Sequence, residues 1–226
     1  MPNSRQRKFM KRIAPLVLCI ALIGCSVPSL NPLYTEKELV FDPALVGVWV
    51  DGAQTWSFEK AGDKSYDKSY KLLHNDGKGP TGTFDAHLVK LKDYLFLDIS
   101  VMDLGAKDES RDGLVTRTLI PGHLFLRVTE SGPMLKLAWM HRRWREAELE
   151  GNPKAIAHIK NGNQTSRTAP PPTIVLTAPT EELQEFVIKY ADDKKAFPET
   201  TRLTRKEMPG AESKSGDAQN ISGEKK

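Results

Sequence analysis

The chain has 226 residues, 39% of them hydrophobic and 27% charged, with 33 Lys plus Arg, 29 Asp plus Glu and two cysteines. That length suffices for one medium domain with its own core, and the composition excludes a protein that crosses a membrane many times. The formal charge of +4 sits at one end: residues 1–24 hold Arg5, Arg7, Lys8, Lys11 and Arg12 and no acid, and without these five the balance is 28 to 29, a net of −1. A nucleic-acid partner argued from net charge loses its basis once that segment is set apart.

Behind the basic stretch comes Ile13-Ala-Pro-Leu-Val-Leu-Cys-Ile-Ala-Leu-Ile-Gly24, then Cys25. As a helix it rises roughly 18 Å, short of a hydrocarbon core about 30 Å thick, so it reads as the apolar part of a secretory signal and not as a span. Leu22-Ile23-Gly24-Cys25 resembles the lipobox of bacterial lipoproteins. The resemblance implies a diacylglycerol thioether on Cys25, cleavage between Gly24 and Cys25, and acylation of the new amino terminus, with palmitate as a typical chain. That family uses Asp after the cysteine for inner-membrane retention. Ser26 therefore implies the outer membrane of a diderm cell, facing the periplasm. Each buried methylene contributes about 0.8 kcal/mol, so several acyl chains make a near-permanent anchor. With Cys19 removed and Cys25 alkylated, the mature chain has no thiol for a disulfide or a metal thiolate, and neither metal nor cofactor is expected.

Residues 25–40 contain Pro28 and Pro32 and little periodicity. They read as a lipidated tether, reaching about 50 Å if extended, with docking of Leu33-Tyr34 on the domain as the alternative. Residues 41–206 read as one domain of short apolar runs between turn clusters. Val46–Val50 closes on Asp51-Gly52. Thr55–Glu59 carries Trp56 and Phe58 two apart, and a strand near Ser69–His74 ends at Asn75–Pro80. Gly82–Leu91 alternates Phe84, Ala86 and Leu88 against Thr83, Asp85 and His87. Tyr94–Ser100 alternates Leu95, Leu97 and Ile99 against Tyr94, Phe96 and Asp98. Thr116–Ile120, His123–Thr129 and Met134–Met140 follow; Leu124, Leu126 and Val128 point inward, and Leu135, Leu137 and Trp139 share a face. Period two with turns at short spacing indicates an antiparallel all-β meander. The tandem Asp63-Lys-Ser-Tyr66 and Asp67-Lys-Ser-Tyr70 reads as a tolerated loop duplication.

A helical insertion is expected near 141–165. It begins with the cationic-aromatic run His141-Arg-Arg-Trp-Arg145, and Gly151 closes its first piece. Asn152-Pro153 then suits the cap and first position of a second helical turn. The run reads as a helix start with Trp144 docked and the arginines solvated; contact with anionic lipid headgroups or with a barrel mouth is the functional alternative. Asn161–Pro172 reads as loop and Thr173–Thr177 as β. Thr180–Asp192 is the clearest helix, with Glu181 and Glu182 in its first turn and Leu183, Phe186, Val187 and Tyr190 on one stripe. A short strand at Thr201–Arg205 and a disordered tail over 207–226 complete the chain.

Catalytic motifs are sparse. Gly77-Lys-Gly-Pro-Thr-Gly82 fits G-x-G-x-x-G, but β-alternation follows it where a phosphate-binding helix is needed, so it reads as a hairpin loop. His74, His87, His123, His141 and His158 form no metal-spaced pair and read as scattered exposed residues. Asp192-Asp193 reads as a solvated helix end. No nucleophile elbow is present, and an enzyme is not expected.

Gly47-Val48-Trp49 opens a meander of about eight strands with a late amphipathic helix. That layout resembles the lipocalin superfamily, whose first strand carries G-x-W. The resemblance implies an eight-stranded up-and-down barrel with one ligand cavity, the Trp plugging its closed end, and an Arg crossing that Trp, here Arg202 or Arg205. The stretch from Asn31-Pro32-Leu33-Tyr34 through Trp49 also looks like uncharacterised bacterial lipoproteins. The expected function is non-catalytic binding of a small hydrophobic or lipid-like molecule by a monomeric, membrane-anchored barrel, with Trp49, Trp56, Leu95 and Leu97 near a cavity of a few hundred Å³ or its base. The alternative is a protein-interaction, assembly or inhibitor module with a filled core.

Overall fold

The computed structural model describes residues 28–61, 68–101, 122–161 and 173–206. Its strands are β1 Pro28–Ser29, β2 Leu39–Val40, β3 Gly47–Asp51, β4 Gln54–Lys60, β5 Ser69–Asn75, β6 Gly82–Leu91, β7 Tyr94–Val101, β8 His123–Ser131, β9 Met134–Trp139, β10 His158–Asn161, β11 Thr173–Leu176 and β12 Glu199–Arg205. Helix α1 is Arg142–Gly151 and helix α2 is Thr180–Lys189. Going round from β3 through β4, β5, β6, β7, β8 and β9 to β12, each strand pairs antiparallel with the next, and β12 pairs back with β3. This is a closed eight-stranded barrel of lipocalin-like architecture, mostly β, with a late helix: the alternation predicted the antiparallel meander, and the lipocalin resemblance implied the eight-stranded barrel. The final strand is no appendage: β12 is the stave that closes the ring, and it runs from Glu199, two residues earlier than expected.

The expected strand at Thr116–Ile120, the signal segment, Cys25, most of the duplicated loop and the tail lie outside the described residues. Among the described strands β7 pairs directly with β8.

Antiparallel closure gives the barrel two ends. At one end lie the turns after β3 and β5, the end of β7, the start of β8, the end of β9 and the start of β12. At the other lie the start of β3, the β4–β5, β6–β7 and β8–β9 connections and the last residue of β12. Inward side chains at alternate positions build one core: Trp49, Trp56, Phe58, Tyr70, Leu72, Ala86, Leu88, Leu97, Ile99, Leu126, Val128, Leu135, Leu137 and Leu203. The outward positions of β6–β9 carry a second core, because both faces of those strands are covered. Val89, Leu91, Phe96, Phe125 and Ala138 pack there against Leu149 of α1 and Leu183, Phe186 and Val187 of α2. Burial on both faces explains why Tyr94–Ile99 is apolar at nearly every position although its strand is antiparallel. Each fully buried Leu, Val or Phe of the α2 stripe contributes about 1.5–3 kcal/mol to that docking.

Most of the segment read as a tether is held against the barrel. β1 pairs with the start of β8 and with β11, and β2 pairs with the end of β6. Leu33 is buried, and its N–H donates to Asp98 Oδ2 at 2.7 Å. Asn31 Nδ2 donates to the Ala178 carbonyl, and Gln184 Nε2 of α2 donates to the Leu33 carbonyl. The docking of Leu33 is thus the alternative that the structure adopts. A second helical turn after Asn152 does not form. Residues 152–157 make turns that bury Ile156, and β10 then pairs with β11, which satisfies the backbone a helix would have used.

Candidate ligand site at the barrel mouth

The closed end is assembled from both termini of the domain. A short 3-10 helix, Pro43–Leu45, is capped by the Asp42 side chain and drops Leu45 into the base of the core. Tyr70 O–H donates to the Asp42 carbonyl and accepts from the Asp42 N–H at 2.7 Å, while Phe41 stacks on the Tyr70 ring at 4.9 Å. Burial pushes the Tyr70 phenol up to about 12, so it stays a neutral hydrogen-bonding group. Trp49 Nε1 donates to the Leu45 carbonyl. The Arg205 guanidinium covers the indole at 4.4 Å and donates to the carbonyls of Val46, at 2.8 Å, and Ala44.

The opposite end is an aromatic mouth. Trp56 on β4 meets His74 on β5 edge-on at 4.8 Å, and the Trp139 ring on β9 stands 6.4 Å from it. Phe84 on β6 meets His74 at 6.5 Å. Phe84, Leu124, Trp139 and His74 are half-buried and form the rim, whereas Trp56 lies beneath them almost fully buried. Gln54 Nε2 donates to His74 Nε2 at 2.9 Å, which leaves the imidazole proton on Nδ1. Burial lowers the His74 pKa and outweighs the nearby Asp76 charge, so the ring stays neutral. Trp139 Nε1 donates to Thr201 Oγ1 at 3.3 Å. The Trp56 Nε1–H is buried and has no hydrogen-bond partner among the described residues. A buried donor left unmade costs about 1–3 kcal/mol, so an acceptor arriving at this mouth gains a hydrogen bond that no described residue supplies.

The four residues expected beside a cavity separate in the structure. Trp49 lies at the closed end, where its Nε1 donates to the Leu45 carbonyl. Leu97 fills the middle, Leu95 is half-buried toward the β6–β7 turn, and Trp56 alone belongs to the mouth. A ligand-sized void beside Trp49, Leu72, Leu97, Leu126 or Leu137 would leave those side chains accessible surface, and each has 0%. The expected cavity of a few hundred Å³ is therefore absent at that depth. An eight-stranded barrel is just wide enough for side chains to fill, and here two Trp, a Phe and a Tyr fill it. His74, Phe84 and Trp139 were not singled out beforehand. Alternation had placed Phe84 and Trp139 on the apolar faces of their strands and had said nothing of His74, and only ring closure brings β4, β5, β6, β8 and β9 to one opening.

The histidines correct the reading of scattered exposed residues. His87 is buried on the outer wall of β6, with the Tyr34 ring 4.3 Å away and the Asp85 carboxylate at 4.0 Å. Its neighbour across the sheet is Asp98, itself buried, which accepts from His123 Nδ1 at 2.8 Å and from the Leu33 N–H. Asp98 thus ties the N-terminal strap to the wall. Asp192 is likewise engaged: it accepts from Tyr94 O–H at 2.5 Å and from Arg127 Nη2 at 2.9 Å. Among the described residues no three metal-ligating side chains converge. Gly77–Gly82 forms the β5–β6 hairpin loop, with no helix after it.

No protein-family model matches this chain, and neither the curated proteins nor the solved structures include a significant match.

Proposed function

We propose that the chain is an envelope lipoprotein, anchored through Cys25, whose barrel mouth holds one small apolar or lipid-like group without transforming it. The observation that carries this reading is the unmade Trp56 N–H beneath a half-exposed apolar rim of Phe84, Leu124 and Trp139. An apolar opening with one convergent donor suits an acyl chain or ring carrying a single carbonyl or ether oxygen. The filled middle of the barrel limits the depth of entry to the level of Trp56.

Tryptophan fluorescence tests the site. Titration of residues 26–226, which retain every described residue, with a medium-chain fatty acid ester should shift the emission of Trp56 and Trp139. Trp139→Ala should weaken binding, and Trp49→Phe should not. Labelling of cells with palmitate tests the anchor: the label should follow the chain into the outer-membrane fraction and vanish in Cys25→Ser.

A second reading has its own support. The zero exposure of Trp49, Leu72, Leu97, Leu126 and Leu137 is also what a filled-core interaction module requires. Unchanged fluorescence across apolar ligands would favour that reading.

A further inference from the structure

α1 begins three residues after Trp139, so its N-terminus stands at the mouth end of the barrel. Its first turn holds Arg142, Arg143 and Trp144 and no acid, the reverse of what a helix dipole favours. The first-turn amides have no partner within the helix; Trp144 N–H uses His141 Nδ1 at 3.3 Å. Arg145 follows in the next turn. It was expected in solvent, yet it is 1% exposed, and its Nε and Nη1 donate to nothing among the described residues. Helical side chains tilt toward the N-terminus, so Arg145 stands on the same face as His141 and Arg142, the residues four and three before it. Burial, and after it the Arg142 charge, lower its pKa to about 10, which leaves it a cation at neutral pH; Glu146 offsets this in part. Glu146 is itself paired with Arg142 at 3.2 Å, and Glu148 accepts from Tyr190. A buried, charged guanidinium with two unmade donors is a costly group to keep without an anion.

We infer that the first turn of α1, with Arg142, Arg143 and Arg145, is a binding site for a phosphate-type oxyanion. The amides and the exposed Arg143 receive the anion, and Arg145 supplies charge from behind and hydrogen bonds after a rotamer change. Its placement favours a lipid headgroup as the source. Pro28 pairs with Leu124 near the same end of the barrel, and in sequence two residues separate it from Cys25, the proposed site of the lipid. A lipid on Cys25 holds this end of the barrel near the bilayer. The site itself does not depend on the mouth binding a ligand.

The test is co-sedimentation of residues 26–226 with vesicles of pure phosphatidylcholine and of an equimolar mixture with phosphatidylglycerol. Nitrogen-15 spectra of the arginine Nε–H groups during titration with inorganic phosphate complete it. The mixed vesicles should bind the protein and the neutral ones should not. Arg143→Gln, an exposed change, should weaken binding about fivefold, since one surface Arg near an anionic leaflet is worth about that factor. Arg145→Met should weaken it at least as much without lowering the melting temperature, and Lys90→Gln at the closed end should change nothing. Release from vesicles by inorganic phosphate, with a shift at Arg145 Nε–H, assigns the site to the free ion; vesicle binding that ignores phosphate assigns it to the headgroup. If both arginine variants bind like the parent, or if neither vesicles nor phosphate are recognised, the inference is overturned. Failure of fatty-ester binding at Trp56 leaves these results untouched, so the two readings are separable.

Discussion

Arg205, the last residue of β12, lies over the indole of Trp49, the third residue of β3, with the guanidinium carbon 4.4 Å from the ring centroid. The two are also register partners across the seam that closes the barrel. One contact therefore joins the two ends of the domain, and Gly47 makes room for it: a Cβ there would stand 2.5 Å from Arg205 Nη1, at a φ of +135°. Arg205→Ala should cost about 1–2 kcal/mol, combining a partly exposed cation–π contact with lost hydrogen bonds. Gly47→Ala should cost a further 1–3 kcal/mol or so from the backbone conformation. In the Arg205→Ala background the Gly47→Ala cost should shrink but not vanish, because the clash goes and the φ remains. Urea unfolding of the four proteins measures this; simple additivity would show that the two residues are not coupled.

Asp98 is expected to be the fastening of the N-terminal strap. Asp98→Ala leaves the Leu33 N–H and His123 without their acceptor inside the second core, at a cost of about 2–3 kcal/mol. Amide exchange at Leu33 should then accelerate far more than exchange at Leu97 on the inner face. Equal acceleration at both would mean that the strap and the barrel unfold together and that Asp98 has no local role.

Acid should weaken the fold in a window set by two histidines. Burial depresses the pKa of His74 and of His87 below 6.5; Asp85 and Asp98 oppose this at His87, and His123 adds to it. The unfolded chain therefore takes up protons near 6.5, whereas the folded chain takes them up only at lower pH. Their contribution is fully present above 6.5 and is lost as the pH falls from there toward the folded values. The melting temperature should drop in this window, before Asp76 and Asp192 protonate, because hydrogen bonds hold those carboxyls below the ordinary 3.8. His87→Gln should flatten the drop. A melting temperature that stays level or rises on acidification through 6.5 would contradict the neutral, buried state of both rings.

Trp56→Phe removes the unmade donor while keeping most of the apolar volume. It should leave stability unchanged or slightly higher, and it should weaken binding of an ester more than that of the matching alkane. Equal loss for both ligands would assign Trp56 to packing alone.

The strands were legible because their chemistry is local. Gly82–Leu91 alternates cleanly and forms a strand with those bounds. The stripe of α2 was legible for the same reason. The partner of Trp49 was not, since Arg202 and Arg205 both lie in the last strand. The register of β12 against β3, which sets Arg205 opposite Trp49, decides it, and that is a tertiary fact. The strap was legible only as the alternative docking of Leu33-Tyr34, because its strands are two residues long and its anchor is the side chain of Asp98, 65 positions away. Arg145 misled for a plainer reason: an arginine amid arginines reads as solvated, and nothing local signals that Leu149, one turn on, draws that face into the core. The mouth combines residues from five strands, so Trp56 was legible as a site residue but its companions His74, Phe84, Leu124 and Trp139 were not.

Native mass spectrometry of residues 26–226, incubated with a lipid extract of the bacterial envelope and then freed of vesicles, tests the central claim most directly. The account predicts one adduct of lipid-like mass per chain, lost in Trp139→Ala. A bare mass for the parent protein at every extract concentration would contradict a ligand-holding mouth and leave a filled barrel that acts through its surface.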